Sequence, residues 1–228
     1  RLLQNYAEAS PEKFHIVEEE PVNYGPSGSF SVLCEYMLAN KSVLGFESIL
    51  ACFCDQDDVW LNNKLALQLE KYCQIQEDED KPILIHCDLE VVDENLRRVA
   101  ESLISYQGLE IERNQFPHVA VSNLVTGCTA LFNEALMRAA LPVPKKAMMH
   151  DWWFAMTATA FGELVFMPQH NTELDQAKSG KIGKDRCCLG TNHGSAIGSA
   201  MKQSGKQAQN GRRKNSHITP SHHDKTGK

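Results

Sequence analysis

The sequence predicts an α/β fold, in which helices cover a central sheet. Two continuous apolar runs, residues 48–54 and 82–87, have the length of strands that are buried on both faces. Segments with helical spacing of apolar residues lie between and after these runs, and such alternation is typical of an α/β sheet. Asp residues follow each run at once, so we expect carboxylates at the carboxyl edge of the sheet, where open α/β sheets bind ligands.

The predicted elements follow one another in a definite order. Residues 2–9 are predicted to be the last part of a helix, and residues 14–17 a short strand. The Pro, Gly and Asn residues of 21–26 indicate a loop. Residues 95–118 give no definite prediction. The other predicted elements are a helix over 30–38, the strand 48–54, a helix over 64–73 capped by Asn62 or Asn63, the strand 82–87, a strand over 129–132, a helix from Asn133 to Ala140 that Pro142 and Pro144 end, a helix over 152–161 that Gly162 ends, and a strand over 164–167.

Charge and composition divide the chain near residue 169. The net charge is −6, but residues 170–228 hold 11 Lys and Arg against 4 Asp and Glu, together with 8 of the 14 glycines and no Phe, Trp or Tyr. We therefore expect residues 1–168 to be a folded domain and residues 169–228 to be a disordered basic tail. Its basic run at 212–214 and its pair His222-His223 could bind a polyanion or a metal, and a merely solvated tail is the alternative.

The same composition excludes several classes of protein. No run of about 18 apolar residues is present, which excludes a membrane-spanning helix. The eight cysteines form no CxxC pair and several lie in apolar runs, as in a reduced cytosolic protein, although their number alone leaves a disulfide framework open. The acidic domain argues against nucleic acid as its ligand. The chain opens with Arg, so we expect it to begin inside a longer protein.

Three carboxylates within four positions form the first candidate site. Asp55, Asp57 and Asp58 directly follow a predicted buried strand, and Trp60 comes two residues later. Like charges so close together repel one another unless a cation binds them, and Mg²⁺ or Mn²⁺ takes oxygen ligands and often shares them with a phosphate. The pattern predicts a metal–diphosphate site, and an acidic surface turn is the alternative.

Two further segments carry polar residues at predicted element ends. Asp151 lies near a helix N-terminus, where a carboxylate is favoured in its ionised form and can accept a proton. The flat rings of Trp152 and Trp153 suit the face of a sugar, although a capping Asp beside core tryptophans is the alternative. Gly127 would let a ligand approach the backbone, and Asp88 ends a strand and is expected to face the pocket.

Taken together and in this order, these segments resemble the family 2 glycosyltransferases, and most of all the bacterial rhamnosyltransferase-like branch that builds cell-surface polysaccharide. The resemblance covers about residues 5–167. The matching residues are Asn23-Tyr24-Gly25 with Ser29-Phe30, Asp55-Gln56-Asp57-Asp58-Val59-Trp60 with Lys64, His86-Cys87-Asp88-Leu89 with Val91-Val92-Asp93, Asn123 with Thr126-Gly127-Cys128-Thr129 and Asn133, Leu141-Pro142 with Pro144, and His150-Asp151-Trp152-Trp153 with Phe161-Gly162.

The resemblance implies a fold and a set of site residues. The fold would be GT-A, a Rossmann-like mixed sheet flanked by helices. Asp57, with Asp55, would bind Mg²⁺ or Mn²⁺ on the diphosphate of a nucleotide-sugar donor, for which dTDP-rhamnose is one candidate. Asp151 would be the base that activates a hydroxyl of a glycan or lipid-linked acceptor. The residues expected to line the donor and acceptor sides are Asp58, Trp60, Asp88, Thr126, Gly127, Cys128, His150, Trp152 and Trp153.

The chain also departs from the family at both ends. The strand predicted at 14–17 resembles the family's third, so the first two strands, which hold the nucleoside, are expected to be missing. An Arg-Gln-His segment of the family is replaced by Gln169-His170-Asn171 and an unrelated tail. An alternative hypothesis is that the protein binds nucleotide sugars, or serves as a scaffold, without turnover. A third hypothesis is a metal-dependent phosphohydrolase. The protein would be cytoplasmic, or peripheral at the inner face of the cytoplasmic membrane.

Overall fold

A computed structural model of the chain describes residues 2–17 and 22–168, together with the backbone of two short strands at 177–179 and 197–201. Two short 3₁₀ turns, Ile111–Arg113 and Gly127–Thr129, lie among the helices and strands. The helices are α1 (Leu2–Ala9), α2 (Gly25–Ala39), α3 (Lys64–Ile75), α4 (Leu103–Tyr106), α5 (Phe116–Val119), α6 (Glu134–Ala140) and α7 (His150–Phe161). The strands are β1 (Leu50–Cys54), β2 (Asp58–Val59), β3 (Ile83–Cys87), β4 (Leu89–Val92), β5 (Arg98–Ala100), β6 (Leu131–Asn133), β7 (Glu163–Met167), β8 (Ala177–Ser179) and β9 (Ile197–Met201).

A mixed five-stranded sheet forms the centre of the fold. Its strand order is β7-β3-β6-β1-β9, and the shorter strands β2, β8, β4 and β5 form a second sheet. β6 is antiparallel to both β1 and β3, whereas β7 is parallel to β3. The carboxyl ends of β1, β3 and β7 therefore meet at the same edge of the sheet, as the sequence predicts.

Helices pack on both faces of this sheet and enclose two apolar clusters. Phe53 on β1 faces a large cluster formed with α2, α6 and α7, whereas its neighbour Cys52 faces a smaller one covered by α3. This alternation follows from the two-residue period of a strand that is buried on both faces. The prediction of a mixed α/β sheet with flanking helices is confirmed.

Most of the predicted elements are present, with ends that shift by a few residues. The cap of α6 is as predicted, since the Asn133 side chain accepts a hydrogen bond from the amide of Leu136. α2 begins at Gly25, inside the predicted loop, because Gly25 adopts a φ of +66° and Pro26 fits the first turn. The strand predicted over residues 14–17 is wrong: this segment pairs with no strand among the described residues.

The predicted tail lies largely outside the described residues. Within it the structure describes only the backbone of β8, which is parallel to β4 and antiparallel to β2, and of β9, which is parallel to β1. The predicted disorder of residues 169–228 stays a prediction. Among the described helices, none combines the length and the apolar character that crossing a membrane requires.

Candidate functional site

The acidic turn, residues 55–58, leaves the sheet where β1 ends. β1 is buried along nearly its whole length, so its carboxyl end is held rigidly by packing on both faces. Asp55, Asp57 and Asp58 are half-buried, whereas Gln56 is exposed. Three carboxylates are thus presented on a rigid strand end, partly shielded from water, which strengthens their mutual repulsion.

Asp151 lies in the first turn of α7, as predicted, and is almost completely buried. Its Oδ2 accepts a hydrogen bond from the Gly127 amide (3.0 Å), and its Oδ1 accepts from the Trp152 amide (2.6 Å) and from Nδ2 of Asn123 (3.3 Å). These three donors fix the position of the carboxylate and favour its ionised form.

Burial nevertheless dominates the acidity of Asp151. The pKa of Asp151 is raised from 3.8 to about 6. Loss of hydration causes most of the rise, the hydrogen bonds from Trp152, Gly127 and Asn123 partly oppose it, and the negative charge of Asp55 adds to it. A carboxylate with this pKa is mostly ionised at neutral pH and is basic enough to accept a proton from a reacting group.

The effect of Asp55 on Asp151 connects the two predicted groups across 96 positions of sequence. A second connection runs through the Gly127–Thr129 turn. Its Gly127 amide binds Asp151, and the side chain of the next residue, Cys128, hydrogen-bonds with that of Asp58. The acidic turn after β1 and the carboxylate of α7 therefore border one region at the carboxyl edge of the sheet.

The backbone of Gly127 lies close to the side chains of His150 and Asp151. A Cβ atom added there would lie 3.3 Å from Nε2 of His150 and 3.6 Å from Oδ2 of Asp151. An added Cβ would therefore press on the His150 ring and make an ordinary van der Waals contact with the carboxylate that the Gly127 amide holds. The preceding residue, Thr126, is half-buried, and its carbonyl accepts hydrogen bonds from the amide and hydroxyl of Thr129.

The three aromatic neighbours of Asp151 make structural contacts. His150 is buried, and its ring packs against Phe30 and Phe53 at centroid distances of 4.2 and 4.5 Å. The indole N–H of Trp152 donates to the carbonyl of Val119 (2.6 Å), and that of Trp153 donates to the carbonyl of Ala140 (2.7 Å). Both tryptophans are half-buried, and sugar binding by their rings stays a prediction.

Asp88 supports the fold at the end of β3. Its Oδ1 accepts hydrogen bonds from the amides of Leu103 and Ile104, and its Oδ2 accepts from the Ser102 hydroxyl. These bonds satisfy the otherwise unpaired amides at the start of α4. A ligand would have to compete with them, so the structure gives Asp88 a capping role, and its expected role in ligand binding stays a prediction.

Two residues without an assigned role join the site. Asn123 donates to Asp151, and the buried Lys64 lies over the ring of Trp60, with its Nζ 3.8 Å from the ring centroid. Both residues belong to the segments that resemble the glycosyltransferases. No sequence pattern indicates the contact of Asn123, whereas the spacing of four residues between Trp60 and Lys64, at the start of a helix, is compatible with contact between their side chains.

The described residues fit one kind of metal site and not another. Among them, no group of three or more His, Cys, Asp or Glu side chains could hold a metal ion by itself. A Mg²⁺ or Mn²⁺ ion that takes one or two carboxylates from the protein and its other oxygens from a diphosphate and water requires no such group. The acidic turn, with half-buried Asp55 and Asp57, fits this shared arrangement.

Comparisons with known proteins leave the family of the chain open. No family model, no curated protein and no solved structure matches it. The resemblance to family 2 glycosyltransferases therefore stays a prediction carried by the chain's own residues.

Proposed function

We propose that this chain provides the metal-binding and catalytic part of an inverting glycosyltransferase with a GT-A fold. The donor is a nucleotide sugar, with rhamnose as one candidate sugar, and the acceptor is a hydroxyl of a growing cell-surface glycan or of a lipid-linked sugar. Asp55 and Asp57 hold a divalent cation on the donor diphosphate, and Asp151 is the base.

One observation carries the proposal: the Gly127–Thr129 turn contacts both groups, since its Gly127 amide binds Asp151 (3.0 Å) and its Cys128 side chain hydrogen-bonds with Asp58. The charge of Asp55 also raises the pKa of Asp151, in agreement with this proximity. A transferase of this kind needs a cation, held by carboxylates, that offsets the charge of the leaving diphosphate. It also needs a further carboxylate that activates the acceptor, and both groups must face the same substrate. A purely structural role for the three carboxylates would not explain why the turn lies beside a buried, basic Asp151.

In the proposed reaction these groups act in a single step. Asp151 accepts the proton of the acceptor hydroxyl while the hydroxyl oxygen forms a bond to the anomeric carbon. The bond between that carbon and the donor phosphate breaks in the same step, and its electron pair leaves with the nucleoside diphosphate. When bound, the metal offsets the charge that develops on this leaving group. The amides of Gly127 and Trp152 hold Asp151 in place throughout.

A transfer assay with purified protein tests the proposal. Release of nucleoside diphosphate from a panel of nucleotide sugars is measured with Mn²⁺ and with EDTA, for the wild type and for D57N, D151N and D78N. Asp78 lies in an exposed turn far along the chain from both groups and is the matched control. We expect release that requires the metal, is lost in D57N and D151N, and is unchanged in D78N.

Two results separate the alternatives. Full turnover in D151N would contradict the assignment of the base. Binding of Mn²⁺ and a nucleoside diphosphate without any transfer would instead support a nucleotide-sugar-binding protein, and calorimetric titration of the wild type measures it directly.

A further inference from the structure

Lys64 is the only Lys or Arg that is buried among the described side chains, with 3% of its surface exposed. Its Nζ donates a hydrogen bond to Oε1 of Gln68 (3.0 Å) and lies over the ring of Trp60. Gln68 is itself buried and donates to the carbonyl of Thr129 (2.7 Å). Neither side chain that Lys64 contacts here carries a negative charge, and a buried ammonium is costly without one nearby.

Two contacts place the Lys64 ammonium beside the acidic turn. Trp60, whose ring it lies over, follows Asp58 by two residues, and Gln68 binds the carbonyl of Thr129, the neighbour of Cys128. Burial raises the pKa of Cys128 well above its usual value, the charge and hydrogen bond of Asp58 raise it further, and the charge of Lys64 lowers it. Lys64 also acts on the buried thiol of Cys52. The ammonium of Lys64, on α3, and the carboxylate of Asp58 therefore both lie near the buried thiol of Cys128.

We propose that Lys64 is a positioning residue that acts as the internal counter-charge of the acidic turn, stabilising the turn before a divalent cation binds and opposing the binding of a bare cation. The second half rests on the proposed function. A nucleoside diphosphate brings negative charge of its own, so its complex with the metal is not repelled by Lys64. The site would thus accept the cation together with the diphosphate and not in advance of it.

A double-mutant cycle tests the counter-charge without any metal. Urea unfolding in EDTA is compared for the wild type, K64M, D58N and K64M/D58N. We expect D58N to be less destabilising, or even stabilising, in the K64M background, with a coupling of about threefold or more in the unfolding equilibrium constant. K64Q replaces K64M in the cycle if K64M does not fold.

Lys71, two turns later on α3, supplies the matched control. The effects of K71M and D58N on the free energy of unfolding should be additive, because Lys71 lies on the same helix as Lys64 but is not buried. Additivity in the Lys64 cycle as well would overturn the counter-charge.

Calorimetry tests the effect on the metal. We expect K64M to bind bare Mn²⁺ about tenfold or more tightly than the wild type, because a nearby positive charge is removed. Its affinity for the preformed Mn²⁺–dTDP complex should not rise. Equal or weaker binding of bare Mn²⁺ by K64M would overturn the second half of the proposal. If neither protein binds Mn²⁺ with or without dTDP, the proposed function fails, whereas the unfolding cycle still decides whether Lys64 is the counter-charge.

Discussion

The raised pKa of Asp151 makes the stability of the fold depend on pH in a direction that can be calculated. In the folded chain this pKa is about 6, against an ordinary value of 3.8. The folded state therefore holds the proton more tightly than the unfolded state does. The stability associated with the protonated carboxyl is fully present below pH 3.8 and is lost as the pH rises through 6. At neutral pH the loss amounts to about 3 kcal/mol, since one pKa unit corresponds to about 1.4 kcal/mol.

Substitution of Asp151 by Asn removes this titration. Asn also loses one acceptor for the amides of Gly127 and Trp152, but that cost does not vary with pH. Relative to the wild type, we expect D151N to gain about 2 kcal/mol in the free energy of unfolding between about pH 4.5 and pH 7.5. Urea unfolding of both proteins, followed by circular dichroism at several pH values, measures this difference.

D78N provides the control, because Asp78 is exposed and its substitution should shift the whole stability curve evenly. Curves of wild type and D151N that remain parallel across the range would refute the reasoning. Asp151 would then be no more basic than an ordinary carboxylate, and its assignment as the catalytic base would lose its electrostatic support.

Three further substitutions test individual contacts. G127A should lower transferase activity far more than stability, measured as kcat against melting temperature, because the added Cβ would lie 3.3 Å from Nε2 of His150. A shift of a few tenths of an ångström in that ring relieves the contact but also moves the adjacent Asp151. G162A should destabilise the fold by about 3 kcal/mol in urea unfolding, since its Cβ would lie 1.9 Å from the carbonyl oxygen of Pro82; a loss below about 1 kcal/mol would contradict the packing of β7 on β3. D88N should destabilise the fold by about 1–2 kcal/mol through the lost cap of α4, and retained donor binding would confirm that this role is structural.

Sequence patterns predicted the fold best where local chemistry and burial agree. β1 and β3 are continuous apolar runs, and no other position in an α/β sheet accommodates them. α6 is bounded by a capping Asn133 and by Pro142, which are local signals. By contrast, residues 14–17 have strand-like composition but no partner among the described strands, and a strand exists only through its pairing.

The same holds for the candidate site: local sequence patterns predict some of its features, and contacts between distant segments decide the others. The positions of Asp55 at a strand end and of Asp151 in a first helical turn follow from local pattern. Two other features depend on contacts between segments that are distant in sequence. Asp88 accepts a hydrogen bond from the first turn of α4, and Lys64 is buried beside Gln68, which binds Thr129. Similarly, Gly162 looks like a helix stop in the sequence, but the close carbonyl of Pro82 also requires a residue without a side chain there.

The central claim is that the acidic turn and Asp151 border one shared site. The most direct test is the pKa of the Asp151 carboxyl, followed by carbon NMR in the wild type and in D55N, with D151N used to assign the signal. Removal of the Asp55 charge should lower this pKa, whereas D78N should leave it unchanged. An Asp151 pKa that is the same in D55N and in the wild type would mean that the two carboxylates do not face a common substrate, and it would contradict the account.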